Sequence, residues 1–199
     1  MSYRPPKILV RKAKISASDQ IQDPLFSPAS DWKPTNCFPD LGGEKIIGLD
    51  IETKDPHLKE RGPGFSRGDA SVVGYSISTL DTAWYFPFAH AGGGNIPRDH
   101  ALNFLRDQVS RADRYICGAN LQYELEGIES GLGIPVKCRT IDVQIAEALI
   151  DEEADTYQLD ALSKKYLGRG KDESLLREAA SAYGVDPKSG LWKLHSKYV

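Results

Sequence analysis

Lys45-Ile46-Ile47-Gly48-Leu49-Asp50-Ile51-Glu52-Thr53 is the stretch that decides how the chain folds. Ile46, Ile47, Leu49 and Ile51 make a near-continuous apolar run, the pattern of a strand buried on both faces and so of the middle of a sheet. The run ends on two carboxylates, Asp50 and Glu52, spaced two apart, so both leave the same face of the strand. Two like charges at a buried strand end repel each other and lose hydration, so one must protonate, find a cation or leave the sheet. Hard divalent cations favour oxygen ligands of this kind, and open α/β sheets place ligand sites beyond strand ends.

Working outward, residues 72–78 and 83–88 read as two further strands joined by a Leu80-Asp81-Thr82 turn, which predicts an antiparallel meander with the first strand. After Pro97, Leu102, Leu105 and Val109 recur at helical spacing. Residues 115–119 read as a short strand ending at Asn120, a natural helix N-cap. Leu121, Leu125 and Ile128 give the following helix its inward stripe, and Gly131 and Gly133 stop it. A helix over Ile141, Ile145, Ala148 and Leu149 has Asp142 in its first turn as a cap. Leu159, Leu162 and Tyr166 predict another, closed by Gly168, and residues 174–182 a last one, closed by Gly184. Strands first and helices later, around one short late strand, predict an α/β domain with a mixed central sheet flanked by helices.

Within 199 residues this pattern fills one domain over 41–199. Residues 1–40 read as a basic, Pro-rich N-terminal arm: Arg4, Lys7, Arg11, Lys12 and Lys14 precede the first acid, Asp19, and Pro5, Pro6, Pro24, Pro28, Pro34 and Pro39 disfavour regular structure. No apolar run approaches the ~18 residues of a membrane helix, and the N-terminus lacks a signal-type apolar core. Cys37, Cys117 and Cys138 are too far apart to frame disulfides or a zinc site, so a cytoplasmic protein is expected. A net charge of −3 excludes nucleic-acid binding by bulk positive charge but not a local site. Gly92-Gly93-Gly94 lacks the Lys-Ser/Thr of a phosphate-cradling loop. His57, His90, His100 and His195 are scattered and pair with no nucleophile. Lys164, Lys165, Arg169 and Lys171 form a basic run that reads as a solvated helix end or as a track for a strand's backbone.

Gly48-Leu49-Asp50-Ile51-Glu52-Thr53 resembles the first exonuclease motif of the proofreading domain of family A DNA polymerases, and Asn120-Leu121-Gln122-Tyr123-Glu124 is similar to the second. Residues 73–78, 84–88, 142–147, 159–162 and 166–168 extend the likeness in collinear order over about residues 30 to 199, closest to phage-type members through Asp55-Pro56-His57-Leu58 and Gly62-Pro63-Gly64. The resemblance implies a ribonuclease-H-like fold and a 3′–5′ exonuclease that removes nucleotides from single-stranded DNA 3′ ends. It implies two divalent cations, Mg²⁺ or Mn²⁺, and a polymerase domain in cis. Carried over by position, Asp50 would bridge both ions, Glu52 would bind the first and touch the terminal 3′-hydroxyl, and Glu124 would hold the second through water. Asn120, Tyr123 and Thr53 would position the terminal nucleotide. Glu124 stands where Asp is usual in that family. The third motif, a Tyr followed three residues later by Asp, is expected shortly after Leu191-Trp192-Lys193 and is not found. The chain is therefore expected to be an exonuclease part truncated before that motif, weakly active or inactive alone. Two alternatives stay open: an exonuclease-like module that binds nucleic acid without cleaving it, and a free-standing exoribonuclease.

Overall fold

The computed structural model describes residues 21–35 and 37–199; the basic cluster from Arg4 to Lys14 lies outside them. The chain runs β1 (Ile46–Lys54), α1 (Leu58–Arg61), β2 (Ser71–Ser78), β3 (Ala83–Pro87), α2 (Arg98–Val109), β4 (Tyr115–Gly118), α3 (Leu121–Glu126), β5 (Arg139–Asp142), α4 (Val143–Ile150), α5 (Leu159–Leu167) and α6 (Ser174–Tyr183). One sheet is ordered β3-β2-β1-β4-β5, with β1 at its centre. The strands β1, β2 and β3 form the expected antiparallel meander, and β4 and β5 are parallel to their neighbours. That is a mixed sheet.

β1 is not buried on both faces, as its apolar run predicts. Ile47, Leu49 and Ile51 are buried and join Tyr75, Ile77, Phe86 and Ile116 in a core that α2 covers with Leu102, Leu105 and Val109. Ile46 is about half exposed and Asp50 is open, on the opposite face. Small residues explain the difference. Gly48, Ser76, Ser78 and Cys117 floor that second face and leave a groove of about 940 Å³, bounded by Val143, Leu159 and Leu167. A β-bulge at the end of β1 sets the register: Glu52 pairs with Gly74 but Thr53 pairs with Val72, so Val73 is the extra residue. The bulge lets Val72 and Tyr75 both enter the core.

Three local expectations are corrected. Residues 139–142 form a strand ahead of α4, where a single helix is predicted. The loop after β1 contains the one-turn α1. The helix after Asn120 continues through a π-type turn, Gly127–Gly131, before it stops. α5 and α6 end at Gly168 and Gly184 as predicted. A smaller second core joins Ala179 and Ala180 of α6 to Leu194 and Tyr198. The Gly92–Gly94 loop docks this C-terminal segment, because Gly93 and Gly94 carbonyls accept from the Ser196 N–H and hydroxyl. The last part of the stretch expected to be an arm touches the domain as well: Phe38 stacks on Phe86, and the Ser30 hydroxyl donates to the Lys197 carbonyl. Among the described residues no helix is long and apolar enough to cross a membrane.

Candidate active site

Asp50 and Glu52 leave the open face of β1 at its C-terminal end. Cross-strand pairing lines up Asp50, Ser76 and Tyr85, one residue from each of three neighbouring strands, on that face. The third carboxylate arrives from α3, the helix that follows β4. That strand stops at Gly118, three pairs into its ladder with β1, so Ile51 has no partner on that side. Glu124 supplies one: its Oε2 accepts the Ile51 N–H at 2.7 Å, and the side chain is 5% exposed. The turn that aims α3 at β1 is made by Asn120, in the left-handed region at φ 58°. Asn120 does not cap the helix with its side chain. The Asp142 carboxylate does so, accepting the Leu121 N–H at 2.7 Å with one oxygen and the first N–H groups of α4 with the other.

The carboxylates act on one another. Burial pushes Glu52 up to about 8, with the charge of Asp50 adding to it. Glu124 is pushed up to about 9, first by burial and then by Asp50, while the Ile51 N–H pulls it back. Burial raises Asp50 as well, and the Lys171 ammonium opposes the rise. Lys171 thus comes from the basic run to the edge of the cleft, whereas Lys164 is paired with Asp160 and Lys165 with Glu147 and Asp151. As the side chains stand, no three His, Cys, Asp or Glu among the described residues form a closed metal-binding cluster.

Thr53 and Tyr123 are brought together, yet as partners of each other. The Tyr123 hydroxyl donates to Asp55 Oδ2 at 3.2 Å and lies 2.9 Å from Thr53 Oγ1. Asp55 itself is buried with Oδ1 unpartnered. Asn120 stands exposed at its turn. Sequence reasoning missed Tyr85 and His90. The Tyr85 ring lies over Gly74, where any Cβ would meet its hydroxyl at 2.4 Å. That hydroxyl is bonded to His90 Nε2, and His90 Nδ1 to the Leu194 carbonyl at 3.2 Å. Alternation along β3 puts Tyr85 on the face of Asp50, but nothing in the sequence points to the His90 contact with residue 194.

No protein-family model matches the chain. It is 40% identical over 186 residues to a DNA-directed DNA polymerase of Pseudomonas phage M6, covering 90% of this chain and 28% of the polymerase. It is 30% identical over 106 residues to DNA polymerase DpoZ of Acinetobacter phage SH-Ab 15497, covering 52% of this chain and 16% of that one. The chain thus spans little more than a quarter of the length of the first of these relatives. Among solved structures it is similar to Trypanosoma brucei RNase D in complex with RNA U12, at TM-score 0.54 and 13% identity, covering 77% of this chain and 48% of that one. The Aedes aegypti Nibbler EXO domain matches at TM-score 0.51 and 13% identity, over 77% of this chain and 73% of that one. The fold is ribonuclease-H-like.

Proposed function

We infer that this relative of phage DNA polymerases is a 3′–5′ exonuclease module, hydrolysing the terminal phosphodiester of single-stranded DNA with divalent cations held by Asp50, Glu52 and Glu124. One observation supports the reading: three carboxylates from two elements meet at the C-terminal end of the central strand, where burial raises all three and the charge of Asp50 raises Glu52 and Glu124 further. Such a donor set of hard oxygens fits Mg²⁺ or Mn²⁺. Two such ions, when bound, supply an activated water and neutralise charge on the leaving oxygen. Asp50, exposed on the same face of β1 as Glu52, would hold the ions together with it. Glu52 faces the cleft beside Tyr85, and Glu124 is fixed from behind by the Ile51 N–H, so it can shift little on loading. Lys171 offers the phosphate a cation at the cleft edge. Tyr123, held by Thr53 and Asp55 and packed on Phe65, supports the wall through which α3 meets β1. Asn120 is exposed at that wall's corner, where a terminal nucleotide could reach it. A polymerase domain in cis is the expected partner.

The test is release of mononucleotides from a 5′-labelled single-stranded oligonucleotide. Compare the 199-residue chain with its Asp50→Ala variant, each with Mg²⁺, with Mn²⁺ and with EDTA. Metal-dependent release by the chain, lost in EDTA and lowered about 10²- to 10³-fold by Asp50→Ala, is expected. Metal-independent release, or release indifferent to Asp50, contradicts the reading.

A further inference from the structure

Between α5 and α6 lies a second pocket, of about 480 Å³, that the proposed chemistry leaves unused. Four cations, Lys164, Lys171, Arg177 and Lys188, line it against two acids, Asp160 and Glu173. Lys164 and Arg177 are neutralised within their own helices, since Asp160 lies 2.6 Å from the first and Glu173 2.7 Å from the second. Lys171 and Lys188 enter no salt bridge among the described residues. Their two charges are the pocket's surplus.

Both of these lysines are carried by turns that the fold builds. Gly168 ends α5 in the left-handed region and the chain doubles back onto the helix, where the Lys171 N–H donates to Asp160 Oδ1 at 2.9 Å. Gly170 allows that approach, because a Cβ there would collide with the same oxygen. Lys188 sits in a second turn, its N–H and that of Ser189 donating to Asp186 Oδ1 at 3.0 and 2.7 Å. In each turn an aspartate takes the lysine's N–H, and the ammonium is left to the pocket.

Lys171 also lines the groove beside Asp50 and a smaller hollow beside Glu52, so the pocket adjoins the carboxylates. A strand whose last phosphodiester lies at Asp50 and Glu52 thus has two ways out past Lys171. One is the groove over the sheet, walled by Val143, Leu159 and Leu167; the other is the cationic pocket. A phosphodiester keeps its negative charge near neutral pH, and an apolar wall offers that charge nothing.

We propose that the α5–α6 pocket is a phosphate subsite for the inner part of the substrate strand, in which Lys171 and Lys188 hold the linkages that precede the scissile one. The inference rests on the exonuclease reading and adds to it a direction, from the carboxylates toward α6, and a residue, Lys188, that lies outside the basic run of residues 164–171. Contacts of this kind read charge and not base, which suits a site that takes any nucleotide. A released mononucleotide carries the same chemistry on its phosphate, and the experiment separates the two sources.

The test uses the full chain in calcium buffer and measures binding of a short 5′-labelled oligothymidylate, either with phosphodiesters throughout or with neutral methylphosphonates at the second to fourth linkages from its 3′ end. Lys188 is exposed, so Lys188→Ala leaves the packing alone. It is expected to weaken binding of the charged strand about 3- to 5-fold, to lower the slope of log affinity against log salt by about 0.7, and to leave the methylphosphonate strand nearly unaffected. Lys137→Ala removes the same charge ahead of β5, at the opposite end of the sheet, and is expected to change neither strand by more than about 1.5-fold. A Lys188→Ala effect that is equal on the two strands, or no larger than that of Lys137→Ala, overturns the inference and leaves the exonuclease reading standing. Competition by thymidine monophosphate that Lys188→Ala weakens, with the two strands still alike, also overturns it and gives the pocket to the product. A wild type that binds no single-stranded DNA overturns both.

Discussion

Glu124 holds the Ile51 N–H while standing in the field of Asp50 and Glu52, and this double duty sets how the metal-free protein responds to pH. Glu52 and Glu124 have folded-state values of about 8 and 9 against 4.5 in an open chain. As pH rises through that window the unfolded chain releases protons the native one keeps, so stability falls. His90 works from the acid side: burial pulls it from 6.5 to about 4, so below 6.5 the unfolded chain gains a proton the native one refuses. With EDTA present, these three groups are expected to place the melting-temperature maximum between about pH 4 and 5, where the His90 gain balances the two carboxyl losses, and to lower it by several degrees toward pH 8.5. Millimolar Mn²⁺ should restore most of that loss at pH 8.5 and little at pH 5.5. Glu124→Gln should flatten the alkaline limb, because the amide oxygen still accepts from Ile51 and no charge remains to be buried. A melting temperature that climbs steadily to pH 8.5 in EDTA would contradict this account of the carboxylates.

At the scale of elements, Asp142 is the joint between β5, α3 and α4, since one carboxylate serves two helix starts. Asp142→Ala is expected to cost about 1–2 kcal/mol or more in a denaturant melt, the usual effect of a lost cap, because two helices lose it together. Asn120→Ala should cost about 1 kcal/mol through its left-handed backbone, and Asn120→Gly much less. Little change in the first case would show that water replaces the carboxylate. These two residues also mark where the sequence was legible. Apolar runs on either side of a short turn disclosed β2 and β3, a helical-period stripe disclosed α2, and closing glycines marked the ends of α5 and α6. β5 is four residues with a single Ile, and only its pairing with β4 makes it a strand. α4 differs in another way: Ile145 and Leu149, whose spacing marks the helix, are both exposed, and the buried residue is Glu147, held by Lys165 and Tyr166. The carboxylates of the candidate site were legible through spacing and resemblance. The tie between Tyr85 and His90 was not, since it depends on where residue 194 returns.

For the whole molecule, the exposed side of α4 and the bare face of the sheet leave apolar surface in water, with Leu149 85% and Ile150 73% exposed. The folded chain is expected to bind an apolar fluorescent dye while still melting cooperatively. Ile145→Lys combined with Leu149→Lys should lower dye binding at least about twofold and leave the melting temperature nearly unchanged, because exposed substitutions rarely move stability by more than ~0.5 kcal/mol each. A collapse of the fold would mean that these residues are packed. The floor of the groove also contains a thiol, Cys117, flanked by Gly118 and Ala119, and burial together with the nearby Asp142 holds it above the ordinary thiol range. Its alkylation is therefore slow but not forbidden, and the exposed Cys37 serves as an internal clock on the same chain. The ratio of the two labelling rates becomes a chemical gauge of how open that face is, readable by mass spectrometry in any longer polypeptide or assembly that contains this sequence.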